Sequence, residues 1–168
     1  IKPKTIQTQD ARVIVEKEIS NKNVDQNKKG AKKALLVGIN YQKDASDTND
    51  LNGCVNDVNH LITYVTNNCH FADKDITVLC SAEDTTKEKI KNELRDLVYF
   101  SHQNANSELW FSYSGHGAGM FSMNEEDKQC EVLCPSDYST NGYIYDTWLR
   151  EYFVNRLHPT TKLFILMD

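Results

Sequence analysis

The stretch LWFSYSGHG, residues 109–117, contains a mostly apolar run that ends in a serine, two glycines and a histidine. Residues 109–113 are predicted to form a buried β-strand, because a short apolar run bounded by turn residues is typical of one. His116 then lies between two glycines in the loop after the strand, where the backbone can approach a ligand closely. Histidine titrates near neutral pH, so His116 is a candidate general base. On these residues alone, a histidine that only fills a turn is the alternative.

Three more apolar runs, at residues 34–40, 76–80 and 162–168, are also predicted to be strands. Apolar residues at helical spacing predict a helix at 54–68, a second helix that Thr85 or Thr86 caps, and a third at 146–157. Residues 118–145 are predicted to be irregular, with a hairpin and a loop at 135–142. Because strands alternate with helices, the sequence predicts an α/β fold with a mostly parallel sheet flanked by helices.

The chain divides into a polar, lysine-rich extension or linker at residues 1–33 and one domain at residues 34–168. Its 168 residues, of which 39% are hydrophobic, suffice for one domain with a core. In an open α/β sheet the functional loops follow the carboxyl ends of the strands, and Asp168 ends the fourth predicted strand. We therefore expect the protein to continue past Asp168.

Composition and charge exclude several classes of function. The net charge of -5 argues against a nucleic-acid partner, and no apolar run is long enough to predict a membrane span. The five cysteines are odd in number and show no disulfide spacing. Cys130, Cys134 and the upstream His116 lack the close pairing of zinc ligands. Free thiols in a reducing compartment, the cytoplasm, are therefore expected.

Four motifs in chain order resemble those of metacaspases, a family of caspase-like cysteine proteases. YSGHG at 113–117 resembles the histidine motif of the caspase clan. Strand 34–40, followed by LNGCVND at 51–57, resembles the opening of metacaspases in particular. The segment between the catalytic histidine and the last strand of the family resembles PSD at 135–137 and NGYIYD at 141–146. The family's last strand, which runs into Asp-Cys-Cys-His-Ser-Gly, resembles residues 163–168. The resemblance implies a caspase-like three-layer sandwich, here its large-subunit (p20-like) portion, truncated before the catalytic cysteine.

The resemblance implies a cysteine endopeptidase with a Cys–His dyad. His116 would act as general base and acid, and the nucleophile would be a cysteine just beyond Asp168, so the fragment alone would be inactive. The backbone N–H of Gly117 would help to hold the oxyanion. Cys54 begins a predicted helix, which would lower the pKa of its thiol, but it belongs to the 51–57 motif rather than to the dyad.

Asp57 and Asp168 match the two aspartates that line the first specificity pocket of metacaspases, which cut after arginine or lysine. Two carboxylates in a cleft bind a guanidinium group well. The alternative for Asp57 is an acid in the first turn of its helix, where the helix dipole favours a negative charge.

Many metacaspases require calcium, and Asp146 matches one of the family's ligand positions. Thr147 and Cys130 stand where acidic ligands are usual, and a thiol is a poor ligand for this hard cation. The acids at 125–127 and 131 could substitute, or could form a solvated loop. We expect calcium dependence to be weakened or absent.

Other expectations concern partners and processing. The resemblance implies peptide substrates with a basic residue before the cut, the p10-like remainder of the catalytic domain, and a monomer. Autoprocessing in the basic segment 28–33 is one hypothesis, and a linker without that role is the other.

Two rival functions stay open. One is a catalytically inactive caspase-like protein that acts by binding. The other is an unrelated doubly wound domain, but Gly38-Ile39-Asn40 does not form a phosphate-binding loop. Within the enzyme interpretation, the 51–57 motif favours metacaspases over paracaspases.

Overall fold

The computed structural model describes residues 30–41, 50–121 and 129–168. In chain order its elements are β1 (Lys32–Gly38), α1 (Cys54–Asn67), β2 (Ile76–Leu79), α2 (Lys87–Gln103), β3 (Glu108–Ser114), β4 (Gly117–Phe121), β5 (Gln129–Leu133), α3 (Tyr138–Asn141), β6 (Ile144–Tyr145), α4 (Asp146–Tyr152) and β7 (Lys162–Met167). Two 3-10 helices, Asp73–Asp75 and Val154–Arg156, precede β2 and follow α4. Residues 1–29, most of the predicted extension, lie outside the described ranges.

The main sheet has the strand order β2-β1-β3-β7, and every neighbouring pair is parallel. The central strand β1 is buried from Ala34 to Gly38, which explains its nearly continuous apolar sequence. This confirms the predicted α/β class. Because the strands are parallel, their last residues, Gly38, Leu79, Ser114 and Met167, all lie at the same edge of the sheet.

Alternation of side chains along the strands separates two apolar cores. One core, on the side of α1, contains Ala34, Leu36, Val58, Val65 and Trp110. The other, on the side of α2, contains Leu35, Val37, Ile90, Leu94, Leu97 and Phe111. Because successive strand residues point to opposite faces, β1 and β3 each contribute to both cores. Helices on both faces of the sheet make the predicted three layers.

The second sheet is antiparallel and has the order β4-β5-β6. Strands β4 and β5 pair as the predicted hairpin, and residues 122–128 between them lie outside the described residues. The loop predicted at 135–142 contains the short helix α3. The third predicted helix is shorter than expected. The α-helix α4 ends at Tyr152, its C-cap is Phe153, and a 3-10 helix follows at Val154–Arg156.

The fourth predicted strand is exposed in the described chain, although its apolar sequence is typical of a buried strand. Strand β7 lies at the edge of the sheet, and its residues from Phe164 to Met167 are 37–50% exposed. The reason is that β3 is its one strand neighbour among the described residues. The apolar sequence of β7 is therefore not matched by burial in the described chain.

Strand β1 begins at Lys32, two residues before the predicted start. Lys32 forms an ion pair of 2.8 Å with Glu108 on β3, and Lys33 pairs in register with Leu109. Cleavage at these two lysines would have to open the strand, whereas Lys28 and Lys29 lie outside the described residues. All five cysteines carry free thiols. Within the described ranges, no helix is both long enough and apolar enough to cross a membrane.

Candidate active site

His116 lies in the tight connection between β3 and β4, at the edge where the parallel strands end. A Cβ on the preceding Gly115 would lie 2.9 Å from the hydroxyl oxygen of Tyr41 and 3.1 Å from that of Tyr113. Only glycine fits there without displacing a tyrosine. At Gly117 the nearest atom to an added Cβ would be the carbonyl oxygen of Val132, at 3.5 Å. The fold itself would therefore tolerate a side chain at Gly117. A glycine at this position keeps the backbone N–H open to a ligand.

A network of tyrosine hydroxyls supports the backbone of His116. The N–H of His116 donates to the hydroxyl oxygen of Tyr41 at 2.9 Å. The carbonyl oxygen of His116 accepts from the N–H of Cys134 at 3.0 Å, and the hydroxyl oxygen of Tyr113 lies 3.2 Å from it. The hydroxyls of Tyr41 and Tyr113 also donate to the carbonyl of Cys134, at 2.6 and 2.7 Å. Both backbone polar groups of His116 are thus held, which restrains the loop.

Burial keeps the groups beneath His116 neutral. It raises the pKa of Tyr41 from 10.0 to about 12, and it raises the pKa of Tyr113 further. Both hydroxyls therefore keep their protons at neutral pH and can donate. Burial also raises the pKa of the Cys134 and Cys80 thiols, so neither has the lowered thiol pKa of a reactive cysteine.

Asp168 is joined to the His116 loop through its backbone. The N–H of Asp168 donates to the carbonyl of Tyr113, and the N–H of Gly115 donates to the carbonyl of Asp168, both at 3.0 Å. These bonds extend the β3–β7 ladder past the last paired residues, Tyr113 and Met167. A residue that follows Asp168 therefore starts beside the loop that carries His116.

Asp57 and Asp168, which are 111 positions apart in the sequence, line one small pocket of about 240 Å³. We call it the acidic pocket. Ser112, Ser114, His60 and Leu61 line it as well. The hydroxyl of Ser114 donates to Oδ2 of Asp57 at 3.2 Å. Asp57 also lies in the first turn of α1, so the alternative interpretation of this residue describes its position correctly too.

His60, Ser112 and Ser114 line the acidic pocket but were not predicted as site residues from the sequence. The signals were present in their spacing. His60 follows Asp57 by three residues, which places both on one side of a helix. Ser112 and Ser114 alternate with Phe111 and Tyr113 along β3 and so face α1. Ser112 is 1% exposed, and its hydroxyl has no hydrogen-bond partner among the described residues.

A larger cleft of about 570 Å³ lies on the other side of Asp168. Gly115 and Gly117 line it, together with the exposed carboxylates of Glu131 and Asp146. One oxygen of Asp146 accepts the N–H of Thr147 at 2.6 Å. We call this the glycine cleft. The predicted site residues thus all lie around the same edge of the sheet: His116, Gly117, Asp57, Asp168 and Asp146.

The described residues do not make up a calcium site. Calcium takes six to eight oxygen ligands, and within the described ranges no group of three or more acidic, histidine or cysteine side chains is arranged to hold a metal ion. Cys130 lies on β5, opposite Met120 of β4. The acids at 125–127 lie outside the described residues.

Similarity to known proteins agrees with this geometry. The family model described as "Metacaspase, peptidase C14 domain" matches residues 32–168. Metacaspase-1A of Aspergillus terreus is 34% identical over 146 residues, which cover 83% of this chain and 35% of that protein. Metacaspase-1 of Candida glabrata is 32% identical over 147 residues, which cover 83% and 36% of the two chains. The present chain thus spans little more than a third of the length of these relatives.

The fold also matches that of a solved structure. The crystal structure of protein GSU0716 from Geobacter sulfurreducens superposes with a TM-score of 0.60 at 19% identity, over 82% of this chain and 50% of that one. At this identity the likeness concerns the fold alone.

Proposed function

The chain belongs to the metacaspase family of C14 peptidases, and from this premise we propose that it is the histidine-bearing part of a cysteine endopeptidase. The peptidase cuts after arginine or lysine and uses a Cys–His dyad, whose cysteine follows closely on Asp168. One observation carries the proposal. The backbone bonds of Asp168 to Tyr113 and Gly115 direct the following residues toward the loop of His116, beside a pocket lined by two carboxylates.

His116 moves the protons of the reaction. Its imidazole accepts the proton of the cysteine thiol, and the thiolate attacks the carbonyl carbon of the peptide bond. The carbon–nitrogen bond then breaks, the imidazolium returns the proton to the leaving amine, and a thioester remains. His116 next takes a proton from water as the water attacks the thioester, and it returns that proton to the cysteine sulfur as the carboxylic product leaves.

Gly117 stabilises the oxyanion that forms in each attack. It begins β4 and lines the glycine cleft, where its N–H can donate to a negatively charged oxygen. A fixed donor of this kind lowers the barrier by about 3 kcal/mol in other acyl-transfer enzymes. A Cβ at this position would be accepted by the fold but would narrow the approach of a substrate carbonyl.

The acidic pocket selects the basic side chain. Asp57 and Asp168 supply two carboxylates for a guanidinium or ammonium group, and Ser114 orients Asp57 through its hydrogen bond. Leu61 and Leu166 line the same pocket and can pack against the aliphatic stem of arginine or lysine. An aspartate before the cut would be repelled by both carboxylates.

The test uses the full-length protein with three peptide reporters that differ only in arginine, lysine or aspartate before the cut. We expect cleavage of the first two, and a loss of at least about 100-fold in kcat for His116→Ala. The control is His70→Asn, at an exposed histidine whose φ of 59° asparagine adopts readily. A folded wild-type protein that cleaves no reporter would favour the inactive, binding alternative. Cleavage after aspartate alone would overturn the assigned specificity.

A further inference from the structure

The side chain of Tyr41 contacts His116 in two ways. The two rings are stacked, with centroids 4.6 Å apart and planes inclined by 30°. The hydroxyl oxygen of Tyr41 accepts the backbone N–H of His116 at 2.9 Å. One side chain therefore restrains both the imidazole ring and the backbone that carries it.

The hydroxyl of Tyr41 is itself held in place. It donates to the carbonyl oxygen of Cys134 at 2.6 Å and lies 3.0 Å from the hydroxyl of Tyr113. The carbonyl oxygen has two lone pairs, so it can accept the protons of both tyrosines. The oxygen of Tyr41 is then free to accept from His116. Tyr41 is 7% exposed, and its burial favours the neutral hydroxyl that this arrangement needs.

The backbone of Tyr41 is in an unfavourable conformation. Three non-glycine residues of the described ranges have a positive φ: Tyr41, His70 and Asn106. Asparagine adopts this region readily, and His70 is exposed in a loop, but Tyr41 is a bulky buried residue three positions after the end of β1. Such a conformation persists only where the surroundings hold it, and it occurs most often at functional sites.

Gly115 leaves the room that Tyr41 occupies. An added Cβ at Gly115 would lie 2.9 Å from the hydroxyl oxygen of Tyr41. The glycine before His116 and the tyrosine after β1 are thus complementary, although they are far apart in the sequence. The Gly-His-Gly loop accommodates the phenol beneath the imidazole.

We propose that Tyr41 is a positioning residue for His116. Its ring sets the plane of the imidazole, and its hydroxyl fixes the loop, so that the histidine is oriented before the substrate binds. This inference rests on the proposed function of His116 as general base. Since a displacement of about 1 Å at a reacting group can cost 100-fold in rate, Tyr41 acts mainly on kcat. The acidic pocket, which Tyr41 does not line, keeps KM nearly unchanged.

The test compares three variants of the full-length protein. Tyr41→Phe keeps the ring and loses the hydroxyl, and Tyr41→Leu loses both. Tyr99→Leu, at a tyrosine of α2 that is 49% exposed, is the matched control. We expect kcat to fall about 10-fold for Tyr41→Phe and about 100-fold for Tyr41→Leu, with KM within about twofold of wild type. The control keeps the wild-type kcat.

NMR spectra of the same proteins detect the contacts between Tyr41 and His116 independently of any cleavage assay. In Tyr41→Leu the ring protons of His116 lose the upfield shift that a stacked aromatic ring causes. In Tyr41→Phe they keep that shift, while the amide proton of His116 moves upfield and exchanges faster with solvent because it has lost its acceptor. Thermal unfolding of each variant identifies any that fail to fold, and Tyr41→Phe then carries the test.

The outcomes separate this inference from the proposed function. Unchanged ring shifts in Tyr41→Leu, an unchanged kcat, or a rise in KM at constant kcat would each overturn the positioning role. If the wild-type protein cleaves no peptide but the NMR changes occur, the contact of Tyr41 with His116 stands and the protease function fails.

Discussion

The hydroxyl of Ser114 donates a hydrogen bond of 3.2 Å to Oδ2 of Asp57, and so joins the end of β3 to the first turn of α1. These residues are 57 positions apart, and both line the acidic pocket with Asp168. The bond restrains one of the two carboxylates while leaving its other oxygen to a ligand.

Ser114→Ala removes that restraint. We expect KM for an arginine reporter to rise about fivefold with kcat unchanged, because a hydrogen bond contributes about 1 kcal/mol net. Steady-state kinetics of the full-length protein measure this. Ser139→Ala, at an exposed serine of α3, is the control. Equal effects of the two variants would mean that Ser114 does not orient Asp57.

Asp57→Asn keeps the shape of the acidic pocket and removes one negative charge. We expect KM for arginine and lysine reporters to rise about 30-fold, which corresponds to a lost charge contact of about 2 kcal/mol. The matched control is Asp73→Asn, at an exposed aspartate in the 3-10 helix before β2. An Asp57→Asn protein with wild-type KM would exclude this carboxylate from substrate binding.

Gly38→Ala places a methyl group 2.6 Å from the carbonyl oxygen of Cys54 and 2.8 Å from Cγ2 of Val58, where α1 packs on the end of β1. We expect the free energy of unfolding to fall by about 1–3 kcal/mol, as for other overpacked sites. Gly119→Ala, which meets no atom within 4 Å, is the control for stability. Thermal unfolding curves that shift equally for both variants would contradict the close packing at Gly38.

Alkaline pH should unfold the protein partly through Tyr41. Its pKa is raised by burial from 10.0 to about 12 in the folded state, so between these values the unfolded state releases a proton that the folded state keeps. The contribution of Tyr41 to the free energy of unfolding is fully present below pH 10 and is lost as the pH rises toward 12. The expected slope is about 1.4 kcal/mol per pH unit, and Tyr113 adds to it in the same direction.

Denaturant unfolding of Tyr41→Phe at a series of pH values checks the prediction. The slope above pH 10 should become shallower than in wild type. Tyr99→Phe, at an exposed tyrosine, should leave it unchanged. A wild-type slope in Tyr41→Phe would show that this hydroxyl ionises equally in both states.

Removal of calcium should leave most of the activity. The carboxylates of Glu131, Asp146 and Asp168 line the glycine cleft, but within the described ranges no group of three or more acidic, histidine or cysteine side chains is arranged to hold a metal ion. We expect kcat/KM in an excess of a calcium chelator to stay within about twofold of its value with added calcium. Activity that disappears in the chelator and returns with calcium would contradict this and would indicate ligands outside the described residues.

The main strands and helices, and the position of His116 after a strand, could be predicted from local patterns in the sequence. Apolar runs and helical spacing are local properties, because a strand or helix repeats its side-chain direction every two or 3.6 residues. They located β1, α1, β3 and α2 to within a few residues. The position of His116 after a strand was equally local, and parallel pairing then required it to lie at the edge with the other strand ends.

The surroundings of His116 and the exposure of β7 depend on the tertiary structure and could not be predicted from the sequence. Tyr41 and His116 are 75 residues apart, and Asp57 and Asp168, which line one pocket, are 111 residues apart. Contacts of this kind depend on strand order and on the close approach that Gly115 allows, neither of which has a local periodic signal. The apolar sequence of β7 likewise could not show that one of its edges has no strand beside it in the described chain, since burial depends on neighbours rather than on composition.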